Sequence, residues 1–347
     1  MRDFDYSKLK ERTWDSEILG YVAQIHEYKG RQQVLLEQRP LELERLVEIA
    51  KVQSTEASNE IEGIRTTNVR LKQLCADKTA PRTRDEREIM GYRDVLNTIH
   101  ESYEYIPLRP GYILQLHRDL YRYSEKGIGG SFKNVQNYIT ATDAAGKDFV
   151  LFTPPPPYEM PEAMDRICDS YNRAADAREI DPLILIPVTI HDFLCVHPFS
   201  DGNGRMSRLL TTLLLYRAGY HVGKYISLES KIAKNKDLYY AALEDSQDGW
   251  YENRDNPAPF IKYLLSVILA AYRDFDERVE LVSDAPPAIV AVRRAVESRL
   301  GKFTKADVLE LCPTLGKTSV ESSLKRLVDE GVLVKRGRGR ATFYTRA

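Results

Sequence analysis

One loop of twelve residues, 197–208, constrains this chain more than any other segment, and it reads His-Pro-Phe-Ser-Asp-Gly-Asn-Gly-Arg-Met-Ser-Arg. Before it, Asp181-Pro182 is a typical N-cap and first-turn pair, and residues 183–196 are apolar almost throughout, which predicts a buried central helix. After it, apolar residues keep helical spacing until Gly219. The loop is therefore predicted to join two helices of a mainly α fold.

The residue types in this loop are those that phosphoryl transfer requires. Histidine titrates in the range of a general base, so His197 is the candidate to take a proton from an attacking hydroxyl. Asp201 offers the hard oxygen ligand that Mg²⁺ prefers. Gly202-Asn203-Gly204 precede a helix start, so backbone N–H groups and the Asn203 amide are predicted to face an anion. Arg205 and Arg208 share a helical face and are predicted to bind outer phosphates.

The segments around the loop divide into helices and one hairpin. Residues 16–105 have helical apolar spacing, Arg109-Pro110-Gly111 interrupts it, and residues 112–124 resume it. Residues 135–153 alternate around Asp143-Ala144-Ala145-Gly146, which predicts a β-hairpin that ends at the run Thr153-Pro154-Pro155-Pro156-Pro157. Two further helices are predicted at about 231–247 and 257–281.

The last part of the chain differs in composition. Residues 283–287, Ser-Asp-Ala-Pro-Pro, read as a linker, and residues 301–347 contain ten basic and five acidic residues. A helix is predicted from about 318 to 330, ended by Gly331, and two strands flank the basic turn 336–340. This order resembles a winged helix-turn-helix domain.

Composition excludes several classes of protein. The chain of 347 residues has 50 basic and 51 acidic residues, so its total charge indicates neither nucleic acid nor a membrane surface as partner. Four widely spaced cysteines favour reduced thiols, a cytoplasmic location and no structural zinc. No stretch is apolar enough to cross a membrane. The oligomeric state, a homodimer included, is left open.

The complete loop resembles the signature of the Fic family, whose members transfer AMP from ATP to a Ser, Thr or Tyr hydroxyl of a target protein. The resemblance covers about residues 40–280 and implies a helical Fic core with a β-hairpin flap. It implies that His197 is the general base, that Asp201 holds Mg²⁺, and that Gly202 to Gly204 form the anion hole. Arg205 and Arg208 would bind the β- and γ-phosphates.

The resemblance also suggests where the remaining parts of the two substrates bind. The flap, near residues 139–153, would hold the target segment by strand addition. Adenine would lie toward Tyr240 and Gln247. Lys133 departs from the family pattern, in which many relatives have Arg; lysine keeps the charge but loses the forked geometry.

Three domains follow from this interpretation. Residues 1–110 form an N-terminal helical region that includes an inhibitory helix, residues 111–282 the Fic catalytic core, and residues 286–347 the winged-helix domain. The inhibitory helix is identified by Ser58-Asn59-Glu60-Ile61-Glu62-Gly63, which fits the family's pattern of Ser or Thr, three residues, Glu, then Gly or Asn.

The physical idea of the inhibition is that Glu62 pairs with Arg208 and takes the place of the γ-phosphate. Ser58, four residues earlier, shares its helix face, and Gly63 ends the helix. A free-energy difference of only about 2.7 kcal/mol between the inhibited and the catalytically competent state is enough to keep the competent state near 1% of the molecules.

Two other functions stay open at this level. The same site run in reverse would remove AMP from a modified protein, with Glu62 positioning water. Alternatively, the chain is a DNA-binding transcriptional regulator whose Fic core is a sensor, because the hairpin of the tail is basic. Glu321, Asp329 and Glu330 argue against DNA and leave a protein-docking tail as the other reading.

Overall fold

The computed structural model describes residues 2–38, 40–142, 146–283, 288–299, 301–313, 315–337, 339 and 342–346. Its fold is mainly helical, as predicted, and 3₁₀ turns join several of the helices. The helices that precede the motif loop are α1 (Ser16–Gln38), α2 (Pro40–Ile61), α3 (Asn68–Cys75), α4 (Arg84–Ser102), α5 (Pro110–Leu120), α6 (Met160–Ala177) and α7 (Pro182–Val196). Those that follow it are α8 (Asn203–Arg217), α9 (Leu228–Lys234), α10 (Lys236–Gln247), α11 (Ala258–Ser283), α12 (Ala288–Glu297), α13 (Lys305–Leu311) and α14 (Lys317–Asp329).

Helix α7 lies at the centre of the large hydrophobic core. Every residue from Leu183 to Val196 is buried, and the Asp181 side chain accepts a hydrogen bond from the Leu183 N–H at the helix start. Helices α6, α8 and α11 pack directly against it, and α2 and α4 pack against α8. The apolar run therefore forms the predicted buried helix, and this packing fixes both ends of the motif loop.

Two strands form the predicted hairpin. Strand β1 (Ile139–Thr142) pairs antiparallel with β2 (Asp148–Phe152), and Thr142 lies opposite Asp148. The predicted turn falls on residues 143–146, of which 143–145 lie outside the described residues. The hairpin stands before α6, and its strands reach the cavity described below.

Several helix boundaries differ from the prediction, and α5 ends at Leu120 instead of near residue 124. Pro110-Gly111 does not interrupt a helix but begins α5, since Pro110 occupies the first turn, where its missing N–H costs nothing. The helix expected over 231–247 is divided at Asn235, which ends α9 and precedes α10.

The C-terminal residues form a small unit with its own apolar cluster, which runs from Val292 to Tyr344. It contains α12 to α14 and an antiparallel pair, β3 (Leu333–Arg336) and β4 (Phe343–Arg346). Gly331 has φ +73° after α14, as expected of a residue that ends a helix. Arg338 and Arg340 of the basic turn, and linker residues 284–287, lie outside the described residues. The winged-helix interpretation and the three domain boundaries stay predictions.

No helix in the described part of the chain is long and apolar enough to cross a membrane. The four cysteines are all free thiols.

Candidate active site

The motif loop leaves α7 and enters α8 through two left-handed residues. His197 has φ +50° and ψ +58° at the end of α7, and its N–H donates to the Phe193 carbonyl. Gly202 has φ +86° at the start of α8, and a Cβ there would lie 2.9 Å from the Tyr121 hydroxyl. Both the backbone conformation and the close approach of Tyr121 require glycine at this position.

Asn203 closes the loop on itself. Its Oδ1 accepts from the Phe199 N–H at 2.9 Å, and its Nδ2 donates to the Phe199 carbonyl at 2.8 Å. In this structure the amide predicted to face an anion is thus engaged within the loop. It holds the chain in the shape that leads into α8.

Asn137 and Lys133, which were not predicted as site residues, hold the loop through hydrogen bonds to its backbone and to that of Val196. Asn137 Nδ2 donates to the carbonyls of His197 at 3.2 Å and Phe199 at 3.0 Å. Lys133 Nζ donates to Asn137 Oδ1 at 2.7 Å and to the Val196 carbonyl at 3.3 Å. Burial lowers the pKa of Lys133 to about 8. The sequence marked Lys133 only as a departure from Arg, and nothing in it marked Asn137.

His117 fixes the loop from the other side. Its ring stacks on Phe199 at 3.7 Å between centroids, and its Nδ1 accepts from the Gly130 N–H at 3.1 Å. Its Nε2–H therefore donates to the Asp201 carbonyl, 3.0 Å away. Burial lowers the pKa of His117 to about 4, so the ring is neutral at pH 7.

The tautomer of His197 follows from its contacts. Nδ1 lies 3.1 Å from the Leu194 carbonyl, which can only accept, so Nδ1 carries the proton. Burial lowers the pKa of His197 to about 4. The ring is therefore neutral at pH 7, with the Nε2 lone pair available to a proton donor in the cavity.

Glu62 lies at the first turn of α8. Its Oε1 is 2.7 Å from Arg208 Nη2, and a Cβ added to Gly204 would lie 2.3 Å from the same oxygen. Arg208 also donates from Nε to Ser58 Oγ at 2.8 Å and from Nη2 to the Ser58 carbonyl at 3.0 Å. Gly63, with φ +77°, follows Glu62 beyond the end of α2. A carboxylate therefore occupies the positive end of α8.

Arg205 and Arg208 leave α8 in different directions. Arg205 is only 1% exposed, and its Nη2 lies 2.9 Å from Glu88 Oε2 and 2.7 Å from the Tyr121 hydroxyl. Glu88 is buried on α4 and was not predicted from sequence. Arg205 does not line the cavity, so its predicted phosphate contact stays a prediction.

These residues surround a cavity of about 730 Å³. The flap contributes Ile139, Thr140, Ala141 and Leu151 to its wall. Nine of the predicted site residues line it, namely Glu62, His197, Asp201, Gly202, Asn203, Gly204, Arg208, Tyr240 and Gln247. Ser58 and Gly63 lie behind Glu62 rather than in the wall.

The metal ligands available in the cavity are few. Across the described ranges, no group of three or more His, Cys, Asp or Glu side chains is arranged to hold a metal ion by itself. Asp201 lines the cavity with its carboxylate 41% exposed. One carboxylate suits Mg²⁺, which commonly takes its other ligands from water and substrate phosphates.

Comparison with known proteins agrees with the motif loop. Residues 107–215 match the model of the Fic/DOC family. The protein adenylyltransferase Fic of Drosophila yakuba is 25% identical over 230 residues, which cover 65% of this chain and 41% of that protein. The Culex quinquefasciatus protein of the same name is 28% identical over 184 residues, 52% of this chain and 32% of that protein. The chain thus spans less than half the length of these curated relatives.

Solved structures share the fold. A Fic family protein from Desulfovibrio desulfuricans G20 has a TM-score of 0.64 at 21% identity over 97% of both chains. A Fic domain containing signaling protein from Bacteroides thetaiotaomicron VPI-5482 has a TM-score of 0.63 at 25% identity, covering 74% of this chain and 97% of that one. These findings confirm the resemblance drawn from the loop: the chain contains a domain of the Fic/DOC family.

Proposed function

We propose that this protein transfers AMP from Mg-ATP to a Ser, Thr or Tyr hydroxyl of a target protein, and to itself. One observation carries the proposal: the free Nε2 of His197, the positive end of α8 and Arg208 border the same cavity. A base, an anion site and a fixed cation are what an attacking hydroxyl and a polyphosphate require. The names of the curated relatives support the same activity.

In the proposed reaction the target hydroxyl oxygen attacks the α-phosphorus of ATP. The bond from that phosphorus to the oxygen bridging to the β-phosphate breaks, and pyrophosphate leaves. His197 Nε2 takes the hydroxyl proton, for which the Leu194 carbonyl prepares it by holding the other nitrogen protonated. Because burial lowers the pKa of His197 to about 4, the ring is ready as a base at neutral pH.

The chain's own groups would hold the phosphates. Backbone N–H groups from Gly202 to Gly204 and the dipole of α8 favour an anion at the helix start. The Arg208 guanidinium would bind the γ-phosphate after Glu62 leaves, and Arg205 would need to leave Glu88 to reach the β-phosphate. Asp201 would hold Mg²⁺, which neutralises phosphate charge when bound.

The two remaining substrate parts would bind at different parts of the cavity wall. Tyr240 and Gln247 line the wall at α10, where adenine would lie. Ile139, Thr140, Ala141 and Leu151 of the flap also line the cavity, and the strand backbone of the flap would pair with the target segment.

Glu62 would inhibit this reaction, because its carboxylate holds the Arg208 fork that the γ-phosphate needs. ATP bound beside Glu62 would then lie in a nonproductive position. The same carboxylate supports a second candidate, AMP removal, in which Glu62 holds the water that attacks the phosphorus of the attached AMP, the bond from that phosphorus to the target's side-chain oxygen breaks, and AMP and the free hydroxyl are released.

The decisive experiment uses α-phosphate-labelled ATP with Mg²⁺, the full chain and a cell lysate. We expect label on protein with Glu62→Gly, little with wild type, and none with Glu62→Gly combined with His197→Ala. Equal turnover in wild type and Glu62→Gly would contradict the inhibitory role. A Glu62→Gly variant that transfers no AMP, beside a wild type that removes AMP from a modified protein, would instead establish the reverse reaction.

The C-terminal unit supports a further candidate, contact with DNA. Residues 288–347 contain thirteen basic and six acidic residues, against thirty-seven and forty-five in the rest of the chain. Two acidic residues that argued against DNA are paired within the unit: Glu321 with Lys305 at 2.5 Å, and Glu330 with Arg326 at 2.9 Å. Exposed lysines remain at 317, 325 and 335.

A mobility-shift titration of duplex DNA against rising salt tests this contact. DNA binding predicts a shift at low salt that weakens with a log–log slope of about −0.9 per neutralised phosphate. Replacing the three lysines with glutamate should abolish the shift. No shift at low salt would favour a protein-docking role for the unit.

A further inference from the structure

We infer that Lys126 is a built-in competitor of the divalent cation at Asp201, and that metal binding moves its ammonium group from Asp201 to Glu88. The inference rests on one part of the proposed function, namely that Asp201 is the metal ligand. It assigns a role to a residue outside the motif loop.

Lys126 reaches Asp201 from the loop that follows α5. Its Nζ donates to Asp201 Oδ2 at 2.5 Å, on the carboxylate that would hold the metal. The second oxygen, Oδ1, lies 3.8 Å from Arg205 Nη2. Two cations therefore neutralise Asp201 in this structure.

A metal ion and this ammonium group cannot share the carboxylate without cost. An ammonium nitrogen that donates to Oδ2 would stand within a few ångströms of a divalent ion on Asp201, and like charges at such distances repel strongly even when partly solvated. Metal binding therefore requires Lys126 to move. Its side chain is 30% exposed, so it is only partly enclosed by neighbouring groups.

A second carboxylate already lies beside the ammonium group. Glu88 Oε1 is 3.7 Å from Lys126 Nζ, while Glu88 is buried and bonded to Arg84 Nε at 2.9 Å and Arg205 Nη2 at 2.9 Å. A small shift of Nζ exchanges Asp201 for Glu88 without leaving the cluster. The ammonium group thus keeps a counter-ion in both positions.

The consequence is that the protein binds a divalent cation weakly when no nucleotide accompanies the cation. A metal that arrives with a triphosphate brings negative charge that compensates for the displaced ammonium, whereas a metal alone does not. Lys126 would therefore make metal binding depend on nucleotide.

The test measures Mn²⁺ binding to the full chain from the electron paramagnetic resonance signal of free Mn²⁺, without nucleotide and with α,β-methylene-ATP. We expect Lys126→Met to bind Mn²⁺ alone about tenfold more tightly than wild type, a change of about 1.4 kcal/mol. Lys126→Arg, which keeps the charge, should resemble wild type. Lys72→Met, which removes an exposed lysine on α3, is the matched control.

The outcomes test the role of Lys126 separately from the role of Asp201 as metal ligand. Equal or weaker Mn²⁺ binding by Lys126→Met would overturn the inference, and weaker binding only with α,β-methylene-ATP would make Lys126 a phosphate ligand instead. Unchanged binding by Asp201→Asn would remove the proposed metal ligand and the inference with it, while AMP transfer could still be established by labelling. Thermal unfolding of each variant with and without Mn²⁺ shows that the variants are folded.

Discussion

Replacing Gly204 with alanine tests whether the Glu62 carboxylate lies against this position. The Cβ of Gly204→Ala would stand 2.3 Å from Glu62 Oε1 and 3.3 Å from Arg208 Nη1. Contact at 2.3 Å is impossible, so the flexible Glu62 side chain must swing away. It then loses its 2.7 Å bond to Arg208.

The two effects of the substitution have opposite signs. Alanine in place of glycine in a helix stabilises by about 0.5 kcal/mol near a helix end. Loss of a hydrogen bond between charged groups costs about 1.5–3 kcal/mol, and we take the lower value because the Glu62 side chain is 33% exposed. We expect Gly204→Ala to destabilise wild type by about 1 kcal/mol and to stabilise a Glu62→Gly background by about 0.5 kcal/mol.

Glu62→Gly is a suitable background because Arg208 keeps both of its bonds to Ser58. Urea unfolding followed by tryptophan fluorescence gives the four stabilities of the cycle. Trp14 and Trp250 are the two tryptophans of the sequence and both belong to the large core, so the signal follows that core. The same change in stability in both backgrounds would refute the position of Glu62 over Gly204.

Two further predictions concern stability. Arg2→Met should lower the free energy of unfolding by about 3–5 kcal/mol in the same urea assay. Arg2 Nε lies 3.0 Å from the fully buried Asp192 and its Nη2 lies 3.2 Å from Asp255, so both carboxylates would lose their partner. A loss of stability no larger than that caused by Lys8→Met, which removes an exposed ion pair, would contradict this prediction. Burial lowers the pKa values of four histidines below that of histidine in the unfolded chain, so the unfolded state binds more protons and the free energy of unfolding falls as the pH drops from about 6.5 toward 4. Burial raises the pKa of Asp192 to about 6, so the folded state holds about one proton at that group. Near pH 5.5 the unfolded chain therefore binds about three protons more than the folded chain, and the free energy of unfolding changes by about 4 kcal/mol per pH unit. A flat stability between pH 5 and 6.5 would show that these rings are not buried as neutral groups. The rings concerned are His100, with a pKa of about 3, and His117, His191 and His197, each with a pKa of about 4.

The motif loop was predictable because its information is local. The apolar run 183–196 forms α7, Gly202 supplies the left-handed turn, and Asn203 begins α8. Each of these features depends on residues within about one helical turn, which is the range over which periodicity and capping act. The family and the mainly helical fold followed from the same segment.

The supporting contacts were not predictable in this way. Asn137 reaches His197 across 60 positions, and Lys126 reaches Asp201 across 75. Such pairs depend on how α5 and the following loop pack against α7, and local sequence patterns carry no information about that packing. The start of α5 was missed for another reason: Pro110 was taken as a helix breaker, although proline in a first turn favours a helix.

Glu62 would link the stability of the fold to the proposed inhibition. Arg208 is only 4% exposed, and an unpaired buried guanidinium would be costly, so the fold needs an anion beside it. Glu62 meets that need where the γ-phosphate would bind. In the proposed reaction the γ-phosphate of ATP would replace one anion with another, and the strength of the proposed inhibition would depend on how much better a phosphate pairs with Arg208 than the carboxylate does. Under this proposal, any partner that draws the end of α2 away from α8 would activate AMP transfer and at the same time destabilise the fold.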